Sequence, residues 1–475
     1  MINYFSREPL PLEMHKICYV QKTQLQPVER RLAAAREAGF NSYRLTSNDV
    51  YLDMLTDSGV NAMTLCQLAA MMRADEAYAG STTFSRLSAK LFDIFDKKYF
   101  LPAHQGRACE QILSRGLIKE GQLVPMNFEF GTTINQIKQV GGRHVSLLLD
   151  EGLVLQSDKP FKGNFDLKKL RHVLESERGN VAFVRIEAGT NLIGGQPISM
   201  DNIIEAAAIC REYGVLTVLD ASLYQDNLHF IRTREHPELS TRQITKLIAQ
   251  AVDIIYFSAR KLGFGKGGAI LTNDESIFLK LEPLIARFEG FPTYGGISIR
   301  DMESLIDGLD DTMDDDTIAQ GPNFIAYLAG ELQKYGIPVV TPPGGLGCHI
   351  DARKFVPHVP LSEYPAGSLA AAIYISSGAR GMERGGIDEP IENPNDPPFG
   401  AMELVRLAMP RRVYTISQIN YLIDRLSWLY ENRDLIGGLY FEEGAPRNFY
   451  DRLNSIGDWP ERLVKKFRID FGESL

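Results

Sequence analysis

A lysine and an aspartate, each at the end of an apolar strand, could carry chemistry in this sequence. Lys261 closes the run Asp253-Ile254-Ile255-Tyr256-Phe257-Ser258-Ala259-Arg260-Lys261, and the glycine-rich Leu262-Gly263-Phe264-Gly265-Lys266-Gly267-Gly268 follows. Lysine is almost never buried unless it is paired or used. Loss of water lowers its pKa, and a neutral amine is a nucleophile able to form an imine with an aldehyde. Taken alone, a strand cap pointing to solvent is the simpler account of Lys261. A second strand end changes that: the β-rich run Val215–Leu219 ends in Asp220. An amine and a carboxylate at strand ends of one sheet suit an aldehyde cofactor with a pyridine ring. The lysine makes the imine, and the carboxylate keeps the ring nitrogen protonated so that the ring accepts electrons. By itself Asp220 could be a turn or helix-cap residue.

More residues fit the pair. Gln105-Gly106-Arg107 precedes an expected helix, Ala108–Leu113. Backbone N–H groups at a helix start, together with an arginine, suit a phosphate. Ser258 and Arg260 could add contacts. Phe130 could stack on a ring, or be a core aromatic before a turn. Asn191, in Thr190-Asn191-Leu192-Ile193-Gly194-Gly195-Gln196-Pro197, could hydrogen-bond a ring hydroxyl. Gly263–Gly268 lacks the G-K-S/T ending of a nucleotide phosphate loop.

These residues need a sheet to position them. From about residue 84 to 310, β-rich runs (Val145–Leu149, Val181–Ile186, Val215–Leu219, Asp253–Phe257) alternate with helical stretches such as Met200–Tyr213. That alternation predicts βαβ units, a largely parallel sheet, and ligands beyond the carboxyl ends of its strands. Residues 1–55 read as an N-terminal arm with a helix near Pro27–Ala38, contributing to a small domain. Residues 56–310 form the large α/β domain, and 311–475 a smaller α+β domain. In the large domain, a helix from near Thr64 is expected to end at Asp75–Ser81, with Gly80 at its C-terminus. In the smaller domain, Ile337–Val340, Ala371–Ser376 and Leu404–Ala408 read as strands and Ser417–Asn432 as a helix. The charged tail after about Ile456 packs on the surface or stays loose. Asp307, Asp310, Asp311, Asp314, Asp315 and Asp316 read as a solvated helix face rather than a cation site.

Composition limits the alternatives. The 475 residues are 44% hydrophobic and 23% charged, with a net charge of −9. That charge disfavours nucleic acid as a partner, because phosphate binding wants clustered Lys and Arg. No apolar run approaches membrane-spanning length, and residues 1–8 lack a signal-peptide pattern. Cys18, Cys66, Cys109, Cys210 and Cys348 are scattered, which fits reduced thiols and a cytoplasmic protein and gives no metal site.

At its motifs the chain resembles the tryptophanase and tyrosine phenol-lyase family of β-eliminating lyases, from about Gly39 to Asp451. The motifs are Leu-Thr-Asp-Ser-Gly at 55–59, Asp-Glu-Ala-Tyr-Ala-Gly-Ser at 75–81, His-Gln-Gly-Arg at 104–107, Asn-Leu-x-Gly-Gly-Gln-Pro at 191–197, Arg-Asp-Met-Glu at 300–303 and Pro-Arg-Arg-Val-Tyr-Thr at 410–415. Met-Glu-Arg-Gly at 382–385 resembles the phenol-lyase branch. The resemblance implies pyridoxal phosphate and an aspartate-aminotransferase-like α/β fold (fold type I). It also implies a homotetramer, a dimer of dimers with shared sites, and an α-amino acid substrate losing its Cβ substituent to give pyruvate and ammonia.

The resemblance also assigns roles. Lys261 holds the cofactor and moves the Cα proton. Asp220 pairs with the ring nitrogen. Gln105, Gly106, Arg107, Ser258 and Arg260 hold the phosphate, Phe130 stacks, and Asn191 touches the ring hydroxyl. Arg406 clamps the substrate carboxylate, with Thr56 and Ser58 nearby. Tyr78, from a neighbouring subunit, protonates the leaving group, and Arg384 lies against it. The departures from the family are Leu223 for an arginine, Gly131 for a threonine, Phe291 for a methionine facing the pocket, and Asn448 near the C-terminus. The family's potassium ion lies near a glutamate matching Glu76; here the Lys266 ammonium is expected to replace it. The departures point away from plain tyrosine or tryptophan, towards a non-standard or tyrosine-like amino acid. Transamination, β-replacement, or a non-catalytic cofactor-binding protein are the alternative readings.

Overall fold

The computed structural model describes residues 4–5, 8–387, 402–441 and 449–475. The chain forms two compact units, one of residues 1–57, 323–343 and 347–475, the other of 58–322 and 344–346.

In the first unit, β1 (Leu52–Asp53) pairs in parallel with β10 (Ala379–Arg380). An antiparallel sheet runs in the order β11 (Met382–Arg384), β12 (Leu404–Ala408), β9 (Gly347–Asp351). A further pair joins β13 (Leu439–Phe441) to β14 (Leu453–Ser455). The helix Val28–Glu37 begins after Pro27, as the sequence predicts. The run 371–376, expected as a strand, lies instead inside the helix Pro365–Ser377, all of which is buried. A uniformly apolar run has no period to separate helix from strand. The usable signals are Pro365 in the first turn and Gly378, at φ 72°, after the last. Ile337–Val340 is not a strand; Val339 makes an isolated bridge to Ile350. The tail is ordered too. Helix Trp459–Phe471 buries Trp459, Leu463 and Phe467 on one stripe and packs on helix Pro365–Ser377.

The second unit holds the large sheet, in the order β2-β8-β7-β6-β5-β3-β4. The strands are β2 (Tyr99–Ala103), β3 (Leu123–Met126), β4 (Arg143–Ser146), β5 (Val184–Glu187), β6 (Thr217–Asp220), β7 (Ile254–Ser258) and β8 (Gly268–Thr272). All pairings are parallel except those of β8, which is antiparallel to both neighbours. Side chains alternate between two cores: Val184, Ile186, Leu219, Ile255 and Phe257 enter one, and Phe183, Val218, Ile254 and Tyr256 the other. Burial on both faces explains why these strands read as continuous apolar runs.

The helix after Thr64 is Leu65–Met71, with a Thr64/Gln67 capping box. It ends well before Gly80, so that glycine is not its C-terminus. Asp75 accepts from the N–H groups of Thr82 and Thr83, and Ser81 caps the next helix, Thr82–Phe95. Two aspartates of the acidic stretch are ion-paired at the surface. Asp310 meets Lys90 and Arg242, and Asp315 meets Arg232. Residues 311–322, expected in the smaller domain, cluster with this unit, and Ile318 is in its core. Among the described residues no helix is long and apolar enough to cross a membrane.

Candidate active site

The carboxyl ends of β6 and β7 bring the two leading residues onto neighbouring strands. Asp220 is the last residue of β6, is 5% exposed, and pairs in register with Tyr256 of β7. Lys261 follows β7 by three residues. It is half-buried in the turn that reverses the chain into β8, where Ser258 faces Gly268. Gly263 and Gly267 take φ of 82° and 113° there, which an L side chain resists. The glycine-rich stretch is therefore a hairpin connection that displays Lys261. The Lys261 charge acts on Glu187, at the end of β5, so it lies close to the same strand ends.

The phosphate candidates also converge. Helix Gly106–Leu117 starts just beyond β2, and Gln105 precedes it without a side-chain cap. Its first N–H groups have no acceptor within the helix. A Cβ on Gly106 would lie 2.8 Å from the Ser258 Cβ, so only glycine lets this helix start meet the end of β7. Arg107 is exposed. Arg260 reaches back to Ser58, donating to its Oγ and carbonyl, both at 3.3 Å.

Phe130 is half-buried at the start of helix Gly131–Gln139, so its ring is not a sealed core aromatic. A Cβ at Gly131 would meet nothing within 4 Å. Asn191 is buried in a single 3-10 turn, and its N–H donates to Glu187 Oε1 at 3.4 Å. Leu223 is buried and packs against Gly189.

Behind Asp220 lies a charged cluster that the sequence reading did not single out. Arg185 Nη2 donates to Asp220 Oδ2 at 2.6 Å, and Arg185 Nε donates to the Tyr256 hydroxyl at 3.0 Å. Tyr256 donates to the same Asp220 Oδ2 at 2.8 Å and lies 3.3 Å from Glu110 Oε1. Arg185 Nη1 is 3.6 Å from Glu187 Oε2. Glu110 also accepts from Thr132 and Thr133. All five members are buried. The available signal was Arg185 and Glu187 two apart in an otherwise apolar central strand: same-face charges inside a sheet covered on both sides must be paired.

Burial pushes the Glu187 carboxyl up to about 7, against the opposing pull of Arg185. The folded protein thus keeps a proton that the unfolded chain, near 4.5, has lost. Stability from this group falls as pH rises from about 4.5 to 7, by about 1–3 kcal/mol in total. Thermal melts of the cofactor-free protein should show this decline, and Glu187→Gln should flatten much of it. An unchanged slope in that variant would remove Glu187 from the account.

In the first unit, Arg406 lies mid-strand in β12, paired with His349 of β9 and Met382 of β11. Its Nη2 donates to the Leu55 carbonyl at 2.8 Å, which brings it beside the segment holding Thr56. Arg384 ends β11 and is also buried. Burial, then the charges of Arg406 and Arg384, push the His349 imidazole down to about 3, so it stays neutral. Two buried guanidiniums on one small sheet suit an anionic ligand.

Tyr78 is 74% exposed, and its ring stands 5.6 Å from both Phe291 and Tyr294. The hydrogen bond with Tyr294 raises the Tyr78 phenol above its usual pKa. Glu76 pairs with Arg300 at 2.7 Å, and Lys266 is exposed. Among the described residues, Arg300 is thus the cation paired with Glu76. Asn448 lies outside the described residues.

A mostly parallel sheet with a lysine turn, a carboxylate and a helix start at its carboxyl edge defines an α/β enzyme of fold type I. A serine palmitoyltransferase from Sphingomonas wittichii shares this fold, with a TM-score of 0.57 over 82% of this chain and 88% of its own at 12% identity. The family model described as Beta-eliminating lyase matches residues 53–425. Tyrosine phenol-lyase of Symbiobacterium thermophilum is 39% identical over 452 residues, 94% of this chain and 98% of its own. Tryptophanase of Hyphomonas neptunium is 37% identical over 438 residues, 92% of this chain and 96% of its own. The chain belongs to the β-eliminating lyase family.

Proposed function

We propose that this protein is a pyridoxal-phosphate-dependent lyase that removes the Cβ substituent of an α-amino acid, releasing pyruvate and ammonia. The observation that carries the reading is the pairing of Asp220 with the Lys261 turn on adjacent strands. The residues fit the cofactor. Asp220 Oδ2 is filled by two donors, while among the described residues Oδ1 accepts only the Ser222 N–H, at 2.9 Å, and keeps capacity for one more. The Gly106 helix start and Ser258 offer donors for a phosphate, and Phe130 offers a ring face. Bound there, pyridoxal phosphate supplies an aldehyde that exchanges amines and a ring that accepts an electron pair.

This chain's residues do the rest. Asp220 Oδ1 holds the ring-nitrogen proton. Lys261 Nζ takes the proton from the substrate Cα. Arg406 holds the substrate carboxylate, assisted by Thr56 and Ser58, and Arg384 lies against the leaving group. Asn191 hydrogen-bonds the ring hydroxyl. The Tyr78 hydroxyl gives its proton to the departing group. Tyr78, Phe291 and Tyr294 form an aromatic patch exposed in the single chain, which supports a homotetramer in which Tyr78 serves a neighbour's site. The space at Gly131 and the apolar Leu223 support a substrate other than plain tyrosine or tryptophan, because polar groups matched to either would be missing.

A screen of purified holoenzyme against amino acids, coupled to lactate dehydrogenase for pyruvate and assayed for ammonia, tests the reading. Equal pyruvate and ammonia from one amino acid supports it. Amino-group transfer without pyruvate contradicts it and favours transamination.

A further inference from the structure

The cluster behind Asp220 does more than fill space. A carboxylate alone at the end of β6 would be a strong base towards a ring nitrogen. Here Arg185 Nη2 stands 2.6 Å from Asp220 Oδ2, inside a pocket where both groups are buried. A full positive charge at that distance weakens the carboxylate as a proton acceptor, and low local dielectric keeps the effect from being screened. Tyr256 fills the second position on Oδ2, so two donors fix the carboxylate's orientation and Oδ1, which accepts from the Ser222 N–H, is the oxygen with capacity left.

Building on the function proposed above, we infer that Arg185 is a positioning residue that sets how tightly Asp220 holds the proton on the cofactor's ring nitrogen. It fixes the carboxylate's orientation and lowers its basicity, so the ring loses its proton at a lower pH than it would beside a free aspartate. The ring's power to accept electrons is thereby moderated, a property set from the strand next to the one carrying Asp220.

The surrounding charges are consistent with this. Glu187 on β5, Glu110 on helix Gly106–Leu117, Tyr256 on β7 and Lys261 in the following turn are the ionisable groups acting within the cluster. The groups around Arg185 together hold its guanidinium charged against the cost of burial. Neither carboxylate hydrogen-bonds Asp220, and Tyr256 is a neutral donor held well above its usual pKa by burial. Among the described residues, Arg185 is the charged group in contact with Asp220.

The test uses holoenzyme loaded with pyridoxal phosphate carrying nitrogen-15 in its ring. The ring's NMR shift reports nitrogen protonation directly and is followed against pH. In Arg185→Met the ring should keep its proton to a pH higher by at least about one unit, as expected for removing one buried unit charge. Arg185→Lys should stay near the native titration, and Tyr256→Phe, which removes a neutral donor at the same oxygen, should move it far less. A titration in Arg185→Met that coincides with the native one overturns the inference, as does a shift of equal size in Tyr256→Phe. If Arg185→Met alone does not fold, the double variant Arg185→Met/Glu187→Gln, which also replaces the ionisable carboxyl left beside the vacated site with a neutral amide, is titrated with the same expectation. A native protein that takes up no cofactor would instead refute the proposed function.

Discussion

Lys261→Ala should lower the rate of pyruvate formation by about 10³-fold or more while leaving the protein folded. Positioned proton transfer alone contributes about 10²–10⁴-fold in enzymes, and this residue is also the amine that would hold the cofactor. Lys261 is half-buried in a turn, so truncation opens no sealed cavity and thermal melts should change little. Added primary amines such as ethylamine should restore part of the rate. A variant keeping more than a tenth of native activity would show that Lys261 is only a turn residue.

Asp220→Asn should fail in two separable ways. The amide cannot hold a positive ring nitrogen as a carboxylate does, so activity should fall by about 10²–10⁴-fold, comparable to losing a positioned proton-transfer group. The folded state should also weaken, because Arg185 loses its charged partner in a buried site. Breaking a buried ion pair on one side costs about 3–5 kcal/mol. Glu187 and Glu110 remain beside Arg185 and hold the loss towards the lower end. Denaturant melts of the cofactor-free protein measure it. Asp220→Asn/Arg185→Met should regain much of the stability and none of the activity. If the single variant melts like the native protein, the Arg185–Asp220 pair is not an energetic unit; if it keeps native activity, Asp220 is not the ring's partner.

Much of this site was legible in the sequence because strand ends in a parallel sheet are where such residues must lie. Asp220 and Lys261 stood at the ends of apolar runs, and the runs proved to be neighbouring strands, each within a residue or two of its expected bounds. Helix Gly106–Leu117 was legible from its glycine and arginine for the same reason. The misses have physical causes. Residues 371–376 are buried on every side, so hydrophobicity carried no period to mark a helix. The tail reads as charged, but only one stripe of helix Trp459–Phe471 is apolar, and that stripe is what packs. Asp75 looked like part of a helix end, while its carboxylate caps the helix that follows. The Arg185 cluster is assembled from three strands and a helix, and sequence spacing alone cannot place Tyr256 and Glu110 around one guanidinium.

The most direct test of the account is to load the protein with pyridoxal phosphate, reduce it with borohydride, digest it, and locate the modified peptide by mass spectrometry. The account predicts a yellow protein that bleaches on reduction, with the pyridoxyl group on the peptide containing Lys261 and on no other. A protein that stays colourless, or a label fixed to a different lysine, would contradict it.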